Sequence, residues 1–291
     1  MAASGCRRCA RAGEWPTPRS SNGSHRARPR VVRETGPVPT IVKRRPDAPR
    51  GFFEAEAAGL AWLAAAEAVR IVGVAGVGAG WIELERIDEV RPTAASAAAF
   101  GTALARMHAA GATAFGSRPD GWDGPLFIGR RPMPAAAERS WGAFYARDRV
   151  LPFLPPAVDA GFLTAGEQAL VRRACDEIAS GRFDDDEPPA RLHGDLWAGN
   201  VLWSRDGVVL IDSAAHGGHR ETDLAMLALF GCPYLEVALA AYDEAAPLRE
   251  GWRERVPLHQ LHPLAVHAAG HGRSYGAALA DAAQAVLALA G

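Results

Sequence analysis

The stretch Arg191 to Asp212, RLHGDLWAGNVLWSRDGVVLID, gathers polar groups whose types and order suit one chemistry. His193-Gly194-Asp195 comes first, and Asn200 follows five residues after Asp195. Two apolar runs, Val201–Trp203 and Val208–Ile211, flank Ser204-Arg205-Asp206-Gly207, which suits a hairpin turn; Asp212 closes the second run. Phosphoryl transfer asks little covalent help of a protein. It asks for positioning and neutralisation of charge. Asp195, a carboxylate on a rigid loop, would accept the hydrogen bond of an attacking hydroxyl. Asn200 and Asp212 would offer an amide oxygen and a second carboxylate to Mg²⁺, a hard ion that takes oxygen ligands. A hairpin between the two folds them back towards each other. HxDxxxxN followed by a strand-end Asp is the order these groups take in kinases.

The second half of such a site is a lysine on an early strand that reaches the ATP phosphates, held by a helix glutamate. Of 32 basic residues only Lys43 is a lysine, and it ends the strand-like run Val38–Lys43, which Pro46 stops. Gly51 to Ala66 reads as a helix with Phe53, Glu56, Leu60 and Leu63 on one face. A carboxylate on an apolar face is costly unless paired, and Lys43 is the natural partner of Glu56. Glu54 lies about 200° round the helix and is expected to face solvent.

These residues need elements to hold them. Ile71–Val77 and Trp81–Ile87 read as strands split by Gly78-Ala79-Gly80. Beyond Pro92 the pattern is helical: Ala94–Ala110 with a stripe at Phe100, Leu104 and Met107, then 134–148, 160–180, 221–230, 234–245, 256–269 and 274–290. Proline and glycine clusters near 119–134 and 152–156 read as loops, and Asp184–Glu187 as a solvated linker. The expected architecture is α+β and two-lobed. Residues 1–38 form a divergent, poorly ordered segment. Residues 39–88 form a small β-rich lobe with the lysine strand, the Glu56 helix and a hinge strand. Residues 89–291 form a larger helical lobe.

His193-Gly-Asp-Leu-Trp-Ala-Gly-Asn200 resembles the HGDLWxGN loop of the fructosamine kinase (ketosamine 3-kinase) family, which shares the protein-kinase-like fold with aminoglycoside phosphotransferases. Gly51–Leu60 resembles that family's FEAEAxGL helix, and Ile211–Met226 its IDPAxxxGxREaDLAM segment. Ala241–Trp252 and Leu264–Tyr275 resemble its C-terminal helices, so the likeness runs from about residue 39 to 291. The resemblance implies ATP and Mg²⁺ as cofactors and a ketosamine, free or protein-bound, as substrate. Phosphorylating its 3-hydroxyl makes the adduct unstable and releases the amine, a deglycation repair. It also implies roles for single residues. Lys43 would contact the phosphates and Glu56 orient it; Asp195 would be the catalytic base or the group that positions the hydroxyl; Asn200 and Asp212 would hold the metal. Adenine would meet the backbone near Glu85 and Ile87. Trp197 packs on the sugar or in the core, and His267 lines the substrate cleft or is structural. Arg220, Glu221 and Asp223 brace the metal-binding loop or form a charge cluster at a helix start.

Two departures stand out. Ser213 occupies a position where that family has proline, and residues 1–40 offer no glycine-rich hairpin to cover the phosphates. The first residues are then a divergent working lobe, the mark of an impaired pseudokinase, or an out-of-frame stretch. A phosphotransferase for another hydroxylated amine, of the aminoglycoside or choline type, is the remaining alternative. The composition excludes other classes. No window approaches 18 uncharged apolar residues, so no membrane span and no membrane partner are expected, and a cytoplasmic location follows. Residues 1–50 carry 12 Lys and Arg against 3 Asp and Glu, but the rest is acidic, which speaks against a nucleic-acid partner. Cys6 and Cys9 form a lone CxxC, too few ligands for zinc. Oligomeric state is not legible.

Overall fold

The computed structural model describes residues 39–291. The expectations for residues 1–38, including the Cys6–Cys9 pair and the glycine-rich hairpin, lie outside the described residues. Strand β1 (Thr40–Arg44) runs antiparallel to β4 (Trp81–Glu85), which pairs with β3 (Val74–Gly78), giving the order β1-β4-β3. The register sets Lys43 opposite Ile82. Helix α1 (Phe52–Ala64) begins after Gly51, whose φ of 83° only glycine adopts freely. It buries Phe53, Leu60 and Leu63. Glu54 is half-buried rather than turned fully to solvent.

The apolar run after α1 divides. Its first part, β2 (Arg70–Ile71), leaves the lysine sheet and pairs in parallel with β9 (Gly207–Leu210), which forms the expected hairpin with β8 (Val201–Ser204). The Asn200–Asp212 hairpin is thereby hydrogen-bonded to the segment that follows the Glu56 helix. One core unites these parts: Leu60, Leu63, Ile82 and Leu84 pack with Val209 and Leu210 and with Phe100 and Leu104 of α2 (Ala94–Ala109). Thr93 caps α2 through a reciprocal pair of bonds with Ser96.

The larger part is helical. Helices α5 (Ala165–Ala179), α6 (Glu221–Phe230), α7 (Leu235–Ala245), α8 (Val256–Ala268) and α9 (Arg273–Ala290) follow the periodicity closely, except that α5 starts at the Thr164–Glu167 capping box and not at 160. A second core, with Val171, Ile178, Leu261, Leu264 and Val286, fills the space between α5, α8 and α9.

Four readings are corrected. Residues 119–134 are not all loop, because β5 (Leu126–Ile128) and β6 (Arg131–Met133) form a hairpin. Residues 134–140 are not helical: Ser140 caps α3 (Trp141–Phe144), which continues into a π-helical turn, Tyr145–Val150. Residues 152–156 belong to a 3₁₀ turn, Leu151–Phe153, and to α4 (Leu154–Asp159), since prolines in a first helical turn cost no hydrogen bond. Asp184–Glu187 is no solvated linker. Asp184 accepts from Ser140 Oγ and the Gly142 N–H, both at 2.6 Å; Asp185 pairs with His219 at 3.4 Å; Glu187 pairs with Arg220. These three carboxylates each serve a donor far away in sequence, which composition alone does not reveal, while Asp186 is exposed as expected.

Candidate active site

The turn carrying Asp195 is fixed from behind. Gly194 has φ of 79°, and a Cβ there would overlap the Ala214 carbonyl oxygen, so glycine is required. The backbone N–H groups of His193 and Gly194 donate to Asp223 on α6 at 2.7 and 3.0 Å. His108 on α2 donates from Nε2 to the same carboxylate at 3.1 Å, and the Tyr242 hydroxyl on α7 donates to His108 Nδ1 at 2.8 Å. These donors outweigh burial and hold the Asp223 carboxyl below its usual range. His193 donates from Nε2 to the Ile211 carbonyl at 2.9 Å, tying the turn to the strand that leads to Asp212.

In front of the turn the polar groups converge. Asn200 Nδ2 donates to the Asp195 carbonyl at 2.8 Å, to Asp195 Oδ2 at 3.1 Å and to the Asp212 carbonyl at 3.4 Å. Asp212 sits in the left-handed region at φ 55°, a conformation aspartate tolerates better than most residues. Lys43 Nζ donates to Glu56 Oε1 at 3.0 Å and is also ion-paired to Asp212. Lys43, Glu56, Asp195 and Asp212 line one cavity of about 220 Å³. Burial pushes the Asp195 carboxyl up to about 7: the Asn200 bond opposes the rise, while the charges of Asp212 and Asp223 add to it. Burial also raises Glu56, against the attraction of Lys43.

The remaining expected residues scatter. Glu85 and Ile87 do not line this cavity; the Glu85 carboxylate pairs with Arg70, and its N–H donates to the Gly73 carbonyl at 2.8 Å. Trp197 is 41% exposed, not a core residue, and its ring meets Phe230 edge-on at 6.4 Å. His267 packs at a tilt against Phe230 and Tyr275, with ring centres 4.6 and 4.9 Å away, and borders a second, smaller cavity beside Asp195. Of the trio Arg220, Glu221 and Asp223, only Asp223 touches a site loop, and it holds the His193–Gly194 turn. Arg220 bonds Glu187 and the Ala246 carbonyl, and Glu221 bonds Arg255 and His259. His108 and Tyr242 escaped the sequence reading, because nothing local marks a histidine whose partner lies 115 residues on.

A small sheet with its lysine–glutamate pair, a helical body and an Asp-Asn-Asp cluster between them define a protein-kinase-like phosphotransferase. An aminoglycoside phosphotransferase of known structure shares this fold, with a TM-score of 0.57 over 86% of this chain and 87% of its own at 14% identity. The model of the fructosamine kinase family matches residues 26–289. A Thermobifida fusca structure, described as a "putative fructosamine-3-kinase", has a TM-score of 0.80 at 49% identity and covers 86% of both chains. An Enterococcus faecium protein, described as "Probable ketoamine kinase", is 34% identical over 244 residues, 81% of this chain and 83% of that one. The chain belongs to the fructosamine kinase family and is a phosphotransferase with an alcohol group as acceptor.

Proposed function

We propose that this chain transfers the terminal phosphoryl group of MgATP to a hydroxyl of a ketosamine, free or protein-bound, in a deglycation repair. The observation that carries the reading is the convergence of Lys43, Glu56, Asp195 and Asp212 on one cavity, with Asn200 bonded to Asp195. Lys43 contacts the ATP phosphates and Glu56 orients it. Residues 39–88 form the nucleotide-side lobe, with adenine against the backbone at Glu85 and Ile87, and residues 89–291 the acceptor-side lobe. A cytoplasmic location accords with the described residues, among which no helix is long and apolar enough to cross a membrane.

The residues present fit Mg²⁺. All three bonds of Asn200 leave from Nδ2, which keeps its oxygen available, and the Asp212 side chain is 41% exposed at the cavity wall. Asn200 Oδ1 and the Asp212 carboxylate would hold the ion, which neutralises phosphate charge when bound. Asp195 accepts the hydrogen bond of the attacking hydroxyl and takes its proton; a carboxyl poised near 7 is matched to that task. The exposed ring of Trp197 offers the sugar a flat face, and His267 lies across the acceptor side.

The test is ATP consumption with Mg²⁺ on fructosyl-lysine and ribulosyl-lysine, beside Asp195→Asn. Turnover by the native chain is expected to fall about 10²–10⁴-fold in the variant. A folded native chain that turns over neither substrate overturns the ketosamine reading.

A further inference from the structure

The smaller cavity beside Asp195 measures about 10 Å³, the room a single hydroxyl or water needs. Asp195, His262 and His267 line it together with apolar side chains such as Met226 and Val266. His262, on α8, is 3% exposed, and its Nδ1 lies 2.6 Å from the Arg149 carbonyl oxygen. A carbonyl only accepts, so Nδ1 carries the proton and Nε2 of the neutral ring is a bare acceptor. That Nε2 is buried and has no hydrogen-bond partner among the described residues.

Among the described residues no donor is bonded to it. Arg149 Nη2, a buried donor also without a partner, does not bond to it, and the space that Arg149 and His262 share has no room for a bridging water. The Gly194 N–H, at the cavity wall, is spent on Asp223. His267 Nδ1 is spent on the Pro263 carbonyl at 2.8 Å, which leaves its other nitrogen an acceptor too. The free nitrogens of His262 and His267 are therefore both acceptors, and a buried acceptor left unmade is costly. What completes such a cavity is an O–H donor the size of one hydroxyl or water.

We propose that His262 Nε2 is a specificity-determining acceptor: it takes the hydrogen bond of a second hydroxyl on the sugar, next to the hydroxyl that Asp195 serves. The site then selects a vicinal diol over an amine alcohol with a single hydroxyl. This rests on the reading that the phosphoryl acceptor sits against Asp195.

The test uses His262→Asn, whose amide nitrogen replaces Nδ1 against the Arg149 carbonyl while Nε2 is deleted. Affinities are measured by calorimetry, with Mg²⁺ and a non-hydrolysable ATP analogue present, for fructosyl-lysine and for analogues each lacking one hydroxyl. In the native chain one analogue is expected to bind about tenfold more weakly than fructosyl-lysine; in the variant that difference disappears, with nucleotide affinity unchanged. Equal discrimination in both proteins, no discrimination in the native chain, or no binding of any analogue overturns the proposal. Where the variant does not fold, the ¹⁵N resonance of His262 Nε2 in the native chain gives the answer: it moves with fructosyl-lysine and not with the discriminating analogue, and an unmoved resonance overturns the proposal. Native binding that depends on His262 without turnover refutes the ketosamine transfer and leaves this assignment standing. Turnover without any dependence on His262 refutes this assignment alone.

Discussion

In the proposed transfer Asp195 has to be held still while its carboxylate stays open to a substrate, and the two demands fall on different atoms. Its backbone is fixed by Asn200 and by the turn that Asp223 grips, while the residue lines the cavity. Asp223 accepts from three donors, two of them backbone N–H groups with no other partner within reach. Asp223→Ala is expected to cost about 3–5 kcal/mol in denaturant unfolding, because it strands three buried donors. Turnover should drop with it even where the chain stays folded, since the turn under Asp195 loses its anchor. Unfolding and turnover both close to native would show that the anchor is not Asp223. The visible half of this site was legible in the sequence for a physical reason. Asp195, Asn200 and Asp212 lie within 18 residues of one another on a hairpin, and Lys43 is the chain's single lysine. The gripping half was not, because Asp223, His108 and Tyr242 meet only after three helices have packed.

At the scale of elements, those helices approach closely because one position lacks a side chain. Gly101 faces α7, and a Cβ there would overlap the Ala238 carbonyl oxygen of the main chain, which cannot swing aside as a flexible side chain would. Gly101→Ala is expected to destabilise the chain by about 1–3 kcal/mol, although alanine is the better helix former. A melting temperature equal to or above the native value would mean that α2 and α7 have slack to move apart. The same contact sets the distance between His108 and Tyr242, so the variant should also lose turnover beyond its stability loss. Periodicity found these long helices well, as the stripe at Phe100, Leu104 and Met107 turned out buried. It failed where short elements depend on distant partners. The β5–β6 hairpin holds Phe127 against Phe52 of α1 at 5.3 Å, and the Asp184 carboxylate accepts from the Gly142 N–H of α3, 42 residues upstream. No local window carries either contact.

Across the whole molecule, the helical lobe is built around imidazoles that must stay neutral. Burial pushes His259 down to about 4 and, with the nearby Arg149 charge, His262 to about 3 and His216 well below its usual range. The unfolded chain binds these protons near pH 6.5, before the folded chain does. Their contribution to stability is therefore fully present above about pH 6.5 and is lost as pH falls towards their folded values. Glu221 has the opposite charge type and the same consequence at lower pH. Burial would raise it, but bonds from His259 and Arg255 hold it at about 2, so its contribution persists above its ordinary value and fades below. Between pH 7.5 and 5 the Asp195 carboxyl, raised to about 7, takes its proton first in the folded chain and offsets part of this loss, while each of these histidines costs at most about 1.4 kcal/mol per pH unit. Three of them together remove up to about 6 kcal/mol, a large share of the 5–15 kcal/mol that holds a typical domain. Denaturant midpoints measured at pH 7.5, 6.0 and 5.0 should fall steeply, and replacing His259 by glutamine should make the slope shallower by about one proton. A flat profile over that range would mean the imidazoles gain protons without unfolding the chain, and the neutral packing around α8 would have to be abandoned. Two of the three imidazoles, His259 and His262, lie on α8, so the expected loss falls mainly on the helix that also brings His267 to the cavity beside Asp195.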